Sequence, residues 1–388
     1  MFNFKQYDWR RYNFTFLVIM IILGICSAYF VSFAIAETMG SEYSGSYFRR
    51  QIISMIAGVV IAVIVSLIDY RRICDYVVIY YIVGTIMAAA TRLTPWGTDL
   101  DTDSFRWLKF PGFNFQPSEI CKIIIILALA VFFTSRKDEM DSLKTFFLGI
   151  LIVMVPTGFI LIQSDLSSSL VILFIFAIMI FAAGLSYKIV VPTVVISFLS
   201  IVGGVWMLTQ PAVAKYVPLR EYQIARIVGF LNPEKYALKE MYQQLKSIQA
   251  IGSGQLIGKL LSGESGRNYG NVDVCESDFI FSVIGEEVGF IGSCLIIGLL
   301  CVLIFLCIRA AKRCHDTMGY LIAIGISAMF MFQVFANVGV AACILPNTGL
   351  PLPFLSNGIS SLMSSSIAVG MILNIGIQNT SGEGISFL

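Results

Sequence analysis

The feature that most constrains this chain is a succession of apolar stretches, each near the thickness of a lipid hydrocarbon core. A helix rises ~1.5 Å per residue, so roughly 20 apolar residues cross about 30 Å of lipid. Stretches near that length fall at about 15–36, 52–68, 76–91, 117–134, 145–162, 167–187, 189–209, 279–308, 318–342 and 359–377. Inside a bilayer every backbone N–H and C=O must find a partner within the protein, and for isolated runs the helix provides it. With 57% hydrophobic and 13% charged residues over 388 positions, the chain is too apolar for a water-soluble domain of this size. The expectation is an all-α polytopic membrane protein with ten transmembrane helices, folded as one domain over residues 1–388. Ala34-Ile35-Ala36 has the pattern of a signal-peptidase site, but the apolar run before it is too long for a cleaved leader, so the first helix is expected to remain.

Lys and Arg in the connections set the orientation, because basic residues accumulate on the cytoplasmic side. Lys5, Arg10, Arg11, Arg71, Arg72, Arg136, Lys137, Lys144, Lys188, Arg309, Lys312 and Arg313 fall on one side, against Arg49, Arg50, Arg92, Arg106 and Lys109 on the other. Both termini are therefore expected in the cytoplasm, with one long extracytoplasmic loop at about 210–278. Of the nine cysteines, Cys26, Cys121, Cys294, Cys301 and Cys307 lie within spans and read as small hydrophobes, while Cys275 has no outer partner at an obvious spacing. The single histidine, His315, offers no metal-ligand cluster, so a metal site is left unknown. A net charge of +2 carries no nucleic-acid signal, and no P-loop or dinucleotide motif is present.

Polar constellations gather at the outer side. Asp278 stands where the long polar segment meets an apolar helix carrying Glu286 and Glu287, and such an acid is costly unless water, a partner or a substrate reaches it. Pro117 suits the first position of the fourth span, which puts Glu119 and Lys122 three residues apart on one face. That pair reads either as an internal salt bridge or as the lining of a substrate cavity beneath Arg106 and Trp107. Asp165, in the turn Gln163-Ser164-Asp165-Leu166-Ser167, reads either as a helix cap or as a carboxylate that holds a cation or orients Lys122. Within 210–278, Leu245, Ile248 and Ile251 suggest a short amphipathic helix on the membrane surface, followed by glycines 252, 254 and 258 beside Lys259. This segment is either a surface hairpin or a phosphate-binding element. The stretch 337–362 holds Pro346, Pro351 and Pro353 and cannot be a regular helix, so it is either a re-entrant plug or a wall of a cleft.

These strings, RWLKF…FQPSEICK, QSDLSSS, SIQAIGSGQLIGK, ESDFIFSVIGEEVGFIGS and LPNTGLPLPFLSNGISSL with RQ at 50–51, occur in order over residues 50–362. Together they resemble the SEDS family of RodA-, FtsW- and SpoVE-like polytopic proteins. The resemblance implies a peptidoglycan glycosyltransferase that polymerises lipid II at the outer face of the bacterial cytoplasmic membrane, for elongation, division or sporulation. It also implies a class B penicillin-binding protein as partner. The essential acid of the family's DFIF motif falls on Asp278, and its buried pair on Glu119 and Lys122. Departures are Glu276-Ser277 before the acid, Ser164 and Ser167 flanking Asp165, Asn347 in place of an apolar residue, and Asn357 and Ile359 near the C-terminus.

The implied reaction needs a sugar hydroxyl to attack an anomeric carbon bearing a polyprenyl diphosphate, with inversion. Asp278 is the expected general base. Arg50, Arg106, Lys122, Lys259 and Arg267 are the expected cations for the diphosphate, with Glu119 and Asp165 in the same site. No cofactor is expected with certainty; a divalent cation, Mg or Mn, is the alternative. Two rival readings are a lipid II flippase, which would carry polar residues through to the cytoplasmic side, and a non-catalytic scaffold for the penicillin-binding protein, which would have little use for Asp278.

Overall fold

A computed structural model describes residues 7–95, 97–98, 105–110, 113–209, 221–239 and 241–378. Its helices follow the apolar runs. α1 (Thr15–Thr38) pairs with α2 (Ser41–Ser66), a short α3 (Tyr70–Asp75) leads to α4 (Val77–Leu93), and α5 (Pro117–Ser135), α6 (Leu143–Ile162), α7 (Leu166–Ala182) and α8 (Tyr187–Thr209) follow. The long segment contributes α9 (Glu221–Leu231), α10 (Tyr242–Ser253) and α11 (Lys259–Ser262); α12 (Ile280–Arg313), α13 (Thr317–Ala341) and α14 (Ile359–Ile377) complete the chain. Eight of these are long and apolar enough to cross a membrane, and α4 and α7 are shorter apolar helices of 17 residues each.

Three outcomes differ from the sequence expectation. The second helix starts at Ser41 rather than near 52, because its polar first turns are stabilised by contact with α1 rather than by apolarity: the Ser44 and Ser32 hydroxyls lie 2.7 Å apart. Arg50, expected in a loop, therefore stands exposed on a helix face. The connection after α4 is not all coil, since β1 (Gly97–Thr98), β2 (Trp107–Phe110) and β3 (Phe113–Phe115) form an antiparallel sheet in that order. Finally, α10, expected as an amphipathic helix through Leu245, Ile248 and Ile251, exposes Ile248 while Ile251 packs against the core. Its buried side is Gln244, Ser247 and Ala250, and Gln244 and Ser247 donate to the Val340 and Ala341 carbonyls at 3.0 and 2.8 Å, so hydrogen bonding at the α13 terminus decides the helix rotation.

The centre of the bundle is made by α5, α7, α13 and α14, with Ile126 and Leu129, Ile172 and Ile175, Ile322 and Phe330, and Val369 and Ile372 fully or almost fully buried. α8 is the opposite case, exposing Val194, Ile196, Leu199 and Trp206, a surface suited to lipid tails. At one end of the bundle the chain's described ends meet. Tyr7 bridges to Gln378, and the Asp8 N–H donates to the Ile377 carbonyl at 2.9 Å. Tyr70 joins the same end, taking its N–H to Asn374 and its hydroxyl to Asp316.

The kink in α12 determines how the long segment sits. Gly289 leaves helical geometry, with φ 66° and ψ −165°. The next two N–H groups lose their helical acceptors and donate instead to the carbonyls of Gln255 and Leu256, at 2.8 and 3.1 Å. Space there admits only glycine: a Cβ on Gly258, itself at φ 80°, would lie 2.1 Å from the Glu287 carbonyl oxygen, and one on Gly289 would lie 2.4 Å from the Gly258 nitrogen.

Candidate functional site

The polar groups converge at the other end, where α5, α7, α12 and α14 begin. Asp278 immediately precedes α12 and is partly exposed. Its Oδ1 accepts from the Ser277 hydroxyl at 3.0 Å, and its backbone carbonyl accepts from the Asn337 side-chain amide at 2.8 Å. Burial raises its pKa above the ordinary carboxylate range. The Ser277 hydrogen bond and the charges of Arg106 and Arg226 work against that rise, and Asp165 adds to it by repulsion. Three charged groups from three separate segments thus act on Asp278: Asp165, Arg106 before β2, and Arg226 on α9.

Arg106 was expected here. Its Nε is buried without a hydrogen-bond partner among the described residues, so its positive charge is held beside Asp278 with unused donor capacity. Arg226 was not singled out from the sequence, because nothing in its local string separates it from the other cations of the long segment. Its guanidinium reaches the Asn347 carbonyl at 3.5 Å, which ties α9 to the loop after α13.

That loop, 342–358, is the scaffold of the site. Leu350, Leu352, Phe354 and Leu355 are buried, and its carbonyls are satisfied by side chains: Leu350 by Asn337 at 2.7 Å, Thr348 by Ser167, and Leu355 by Ser27 at 2.7 Å. Non-helical backbone therefore survives here because it is packed in protein. Ser356 donates to the Ser277 carbonyl at 2.6 Å, and the Asn357 N–H donates to the Glu276 carbonyl at 2.9 Å, so two positions that depart from the SEDS pattern are direct neighbours. Gly349, at φ 70°, lets this loop close on the acid, since a Cβ there would sit 3.0 Å from the Asp278 Oδ2.

Asp165 takes the capping arrangement. Its Oδ1 accepts from the Ser168 N–H at 3.0 Å, and its Oδ2 accepts from Ser118 at 3.1 Å and the Gln116 amide at 3.3 Å. Its described partners do not include Lys122, so it joins the starts of α5 and α7 instead of orienting that lysine. One turn further along α5, Lys122 Nζ donates to Glu119 Oε1 at 2.7 Å, and the two side chains are 0% and 2% exposed. Ser364 of α14 donates to the Glu119 carbonyl at 2.9 Å. Lys122 is thus a buried cation whose charge is paired with Glu119.

Lys259 and Arg267, also expected as diphosphate ligands, are likewise each paired with a carboxylate. Lys259 Nζ meets Glu286 Oε1 at 2.5 Å, and Arg267 Nε meets Glu287 Oε1 at 2.6 Å. Glu286 also accepts from Ser253, Asn268 and the Tyr269 N–H, and Glu287 accepts from the Tyr269 hydroxyl at 2.7 Å. Two carboxylates on the first half of α12 therefore fasten the 253–269 loop to the bundle, and charge neutralisation is what makes them tolerable there. Among the described residues no group of three or more His, Cys, Asp and Glu side chains is arranged to hold a metal ion.

Residues 10–381 match the family model described as cell cycle protein, which covers FtsW, RodA and SpoVE. A probable peptidoglycan glycosyltransferase FtsW from Trichlorobacter lovleyi is 34% identical over 376 residues, covering 96% of this chain and 94% of its own length. The stage V sporulation protein E of Bacillus subtilis is 31% identical over 361 residues, with 92% and 94% covered. Among solved structures, a chain of a peptidoglycan synthase complex superimposes with a TM-score of 0.75 at 24% identity, covering 95% of this chain and 97% of that one. The rod shape determining protein RodA of Thermus thermophilus gives 0.66 at 22% identity, with the same coverage. These last two speak to the fold.

Proposed function

The chain belongs to the FtsW, RodA and SpoVE family of cell cycle proteins, and from that premise we propose that it is a peptidoglycan glycosyltransferase acting on lipid II at the outer face of the bacterial cytoplasmic membrane. The ten apolar helices cross the membrane in this reading. An even number of crossings returns both termini to one side, in keeping with the Tyr7–Gln378 bridge, and the basic connections put that side in the cytoplasm. Asp278 then faces outward with the segment that runs from 210 to 278.

The observation that carries the reading is the grouping of Asp278 with Arg106 and Arg226 on a scaffold of satisfied backbone. Asp278, deprotonated, takes the proton from an acceptor sugar hydroxyl as that oxygen attacks the anomeric carbon of the donor. The C–O bond to the diphosphate breaks on the opposite face, which inverts the centre. Negative charge grows on the departing diphosphate, and Arg106 and Arg226 stabilise it, so the leaving group needs no proton. Arg50, exposed on α2, is a further cation for the headgroup. A divalent ion, Mg or Mn, would add to this countercharge, which chelation in the same assay detects. Glu119–Lys122 and Asp165 hold the starts of α5, α7 and α14 in place beneath the reacting groups.

The partner in this reading is a class B penicillin-binding protein. The test is polymerisation of lipid II by the purified protein with that partner. Asp278→Asn is expected to remove glycan synthesis while leaving membrane insertion and thermal stability intact. Wild-type rate should fall as pH drops through a value above the ordinary carboxylate range, because the base form is lost there. Substantial synthesis by Asp278→Asn would exclude the base role.

A further inference from the structure

At the end of the bundle opposite Asp278 lies a cavity of about 850 Å³ between α1, α12 and α14. α12 is 34 residues long, roughly 50 Å at its usual rise, so this cavity is remote from the site described above. Arg10, Arg11, Arg309, Lys312, Arg313 and the imidazole of His315 line it. Arg11 is paired with Asp8 at 3.2 Å. Among the described residues, Arg10, Arg309, Lys312 and Arg313 have no carboxylate at ion-pair distance, and no Asp or Glu lines the cavity. Its floor is apolar, with Phe16 from α1, Leu306 from α12 and Ile372 from α14. Trp9, 45% exposed, stands next in sequence to Arg10, as an aromatic side chain does at a membrane–water boundary.

We propose that this cavity binds the phosphate-bearing headgroup of an anionic phospholipid of the inner leaflet, a doubly charged one of the cardiolipin type fitting best. Basic residues at the ends of spans set topology, but topology needs no concave arrangement. Here cations from the N-terminal segment and the last turns of α12 surround one concavity, and no described carboxylate lines it. An anion that binds there relieves their mutual repulsion, and the apolar floor accepts the glycerol and upper acyl region. Basic pockets between spans on the cytoplasmic side recognise phospholipid headgroups by this chemistry. The bound lipid would pin the N-terminal segment to α12 and α14. The inference depends on the membrane orientation and not on the glycosyltransferase reading.

The test uses the full chain, delipidated in a neutral detergent and titrated with cardiolipin, phosphatidylcholine or inorganic pyrophosphate. Bound ligand is read by native mass spectrometry, and the melting midpoint is followed. Cardiolipin should bind and raise the midpoint, phosphatidylcholine should not, and added salt should weaken the effect. Arg309→Gln/Lys312→Gln/Arg313→Gln should lose at least tenfold in cardiolipin affinity, while Arg309→Lys/Lys312→Arg/Arg313→Lys should keep it. Displacement of cardiolipin by pyrophosphate at matched concentration would identify a soluble phosphate compound as the source of the same chemistry; no displacement identifies the lipid. Equal binding of phosphatidylcholine, or undiminished cardiolipin binding by the glutamine variant, overturns the proposal. Should the glutamine variant fail to fold, salt-insensitive cardiolipin binding by the wild type would overturn it as well.

Discussion

At the scale of single residues, the buried charges on α5 and the first half of α12 are paired, whereas Asp278 is not. Glu286 and Glu287 are neutralised by Lys259 and Arg267, and Glu119 by Lys122. Among the described residues, Asp278 has no ion pair within 4 Å, and Arg106 and Arg226 act on it through space. A base that must accept a proton gains from that looseness, since a tight ion pair would hold it ionised and weaken it as a base. The buried Glu119–Lys122 pair makes a different claim. Removing one partner strands the other charge in low dielectric, at a cost of about 3–5 kcal/mol. Lys122→Met and Glu119→Gln should each lower thermal stability and most of the activity. The double variant should be less impaired than the two losses combined, because the stranded charge is gone. Additive losses in a denaturation and activity cycle would show that the two side chains do not interact.

At the scale of elements, the kink in α12 and the loop it receives form one unit. Gly289→Ala places an L residue at a left-handed φ, costing about 1–3 kcal/mol, and drives a Cβ toward the Gly258 nitrogen. The expected result is loss of the Phe290 and Ile291 backbone hydrogen bonds and release of residues 253–267. Faster proteolytic cleavage in that stretch, with the rest of the bundle intact, is the measurement. Unchanged cleavage and melting would mean that the kink is not required to seat the loop. α10 shows a related principle. Its buried side is mostly polar because buried carbonyls at the end of α13 demand donors, and Gln244 and Ser247 supply them.

For the whole molecule, the exposed apolar faces bear on the partner. Connections at the end where the termini meet are short, with α3 alone joining α2 to α4, and offer little surface for a specific interface of about 800 Å² per partner. The lipid-facing helices, α8 among them, supply that area through side-by-side packing with a partner's membrane helix. A penicillin-binding protein with its membrane helix should therefore bind and activate this chain, while its soluble domain alone should not. Full activation by the soluble domain in a lipid II polymerisation assay would overturn this prediction.

Periodicity and apolar length are properties of local sequence, which is why nearly every helix of the bundle was legible in the chain itself. The strings carrying Asp278, Asp165, Glu119 and Lys122 were legible for the same reason, as polar residues placed where apolar ones are expected. Pairing was not legible. Whether Lys259 and Arg267 meet a diphosphate or Glu286 and Glu287 depends on how the loop after α10 closes over the α12 kink, a long-range contact. The same holds for Arg226, which reaches the site only because α9 lies against Asn347. The rotation of α10 depends on which backbone carbonyls need donors, and hydropathy carries no record of them. Local sequence determines which segments enter a membrane; the partners of each buried charge are determined only when distant segments pack, since the energy of an ion pair depends on distance and burial.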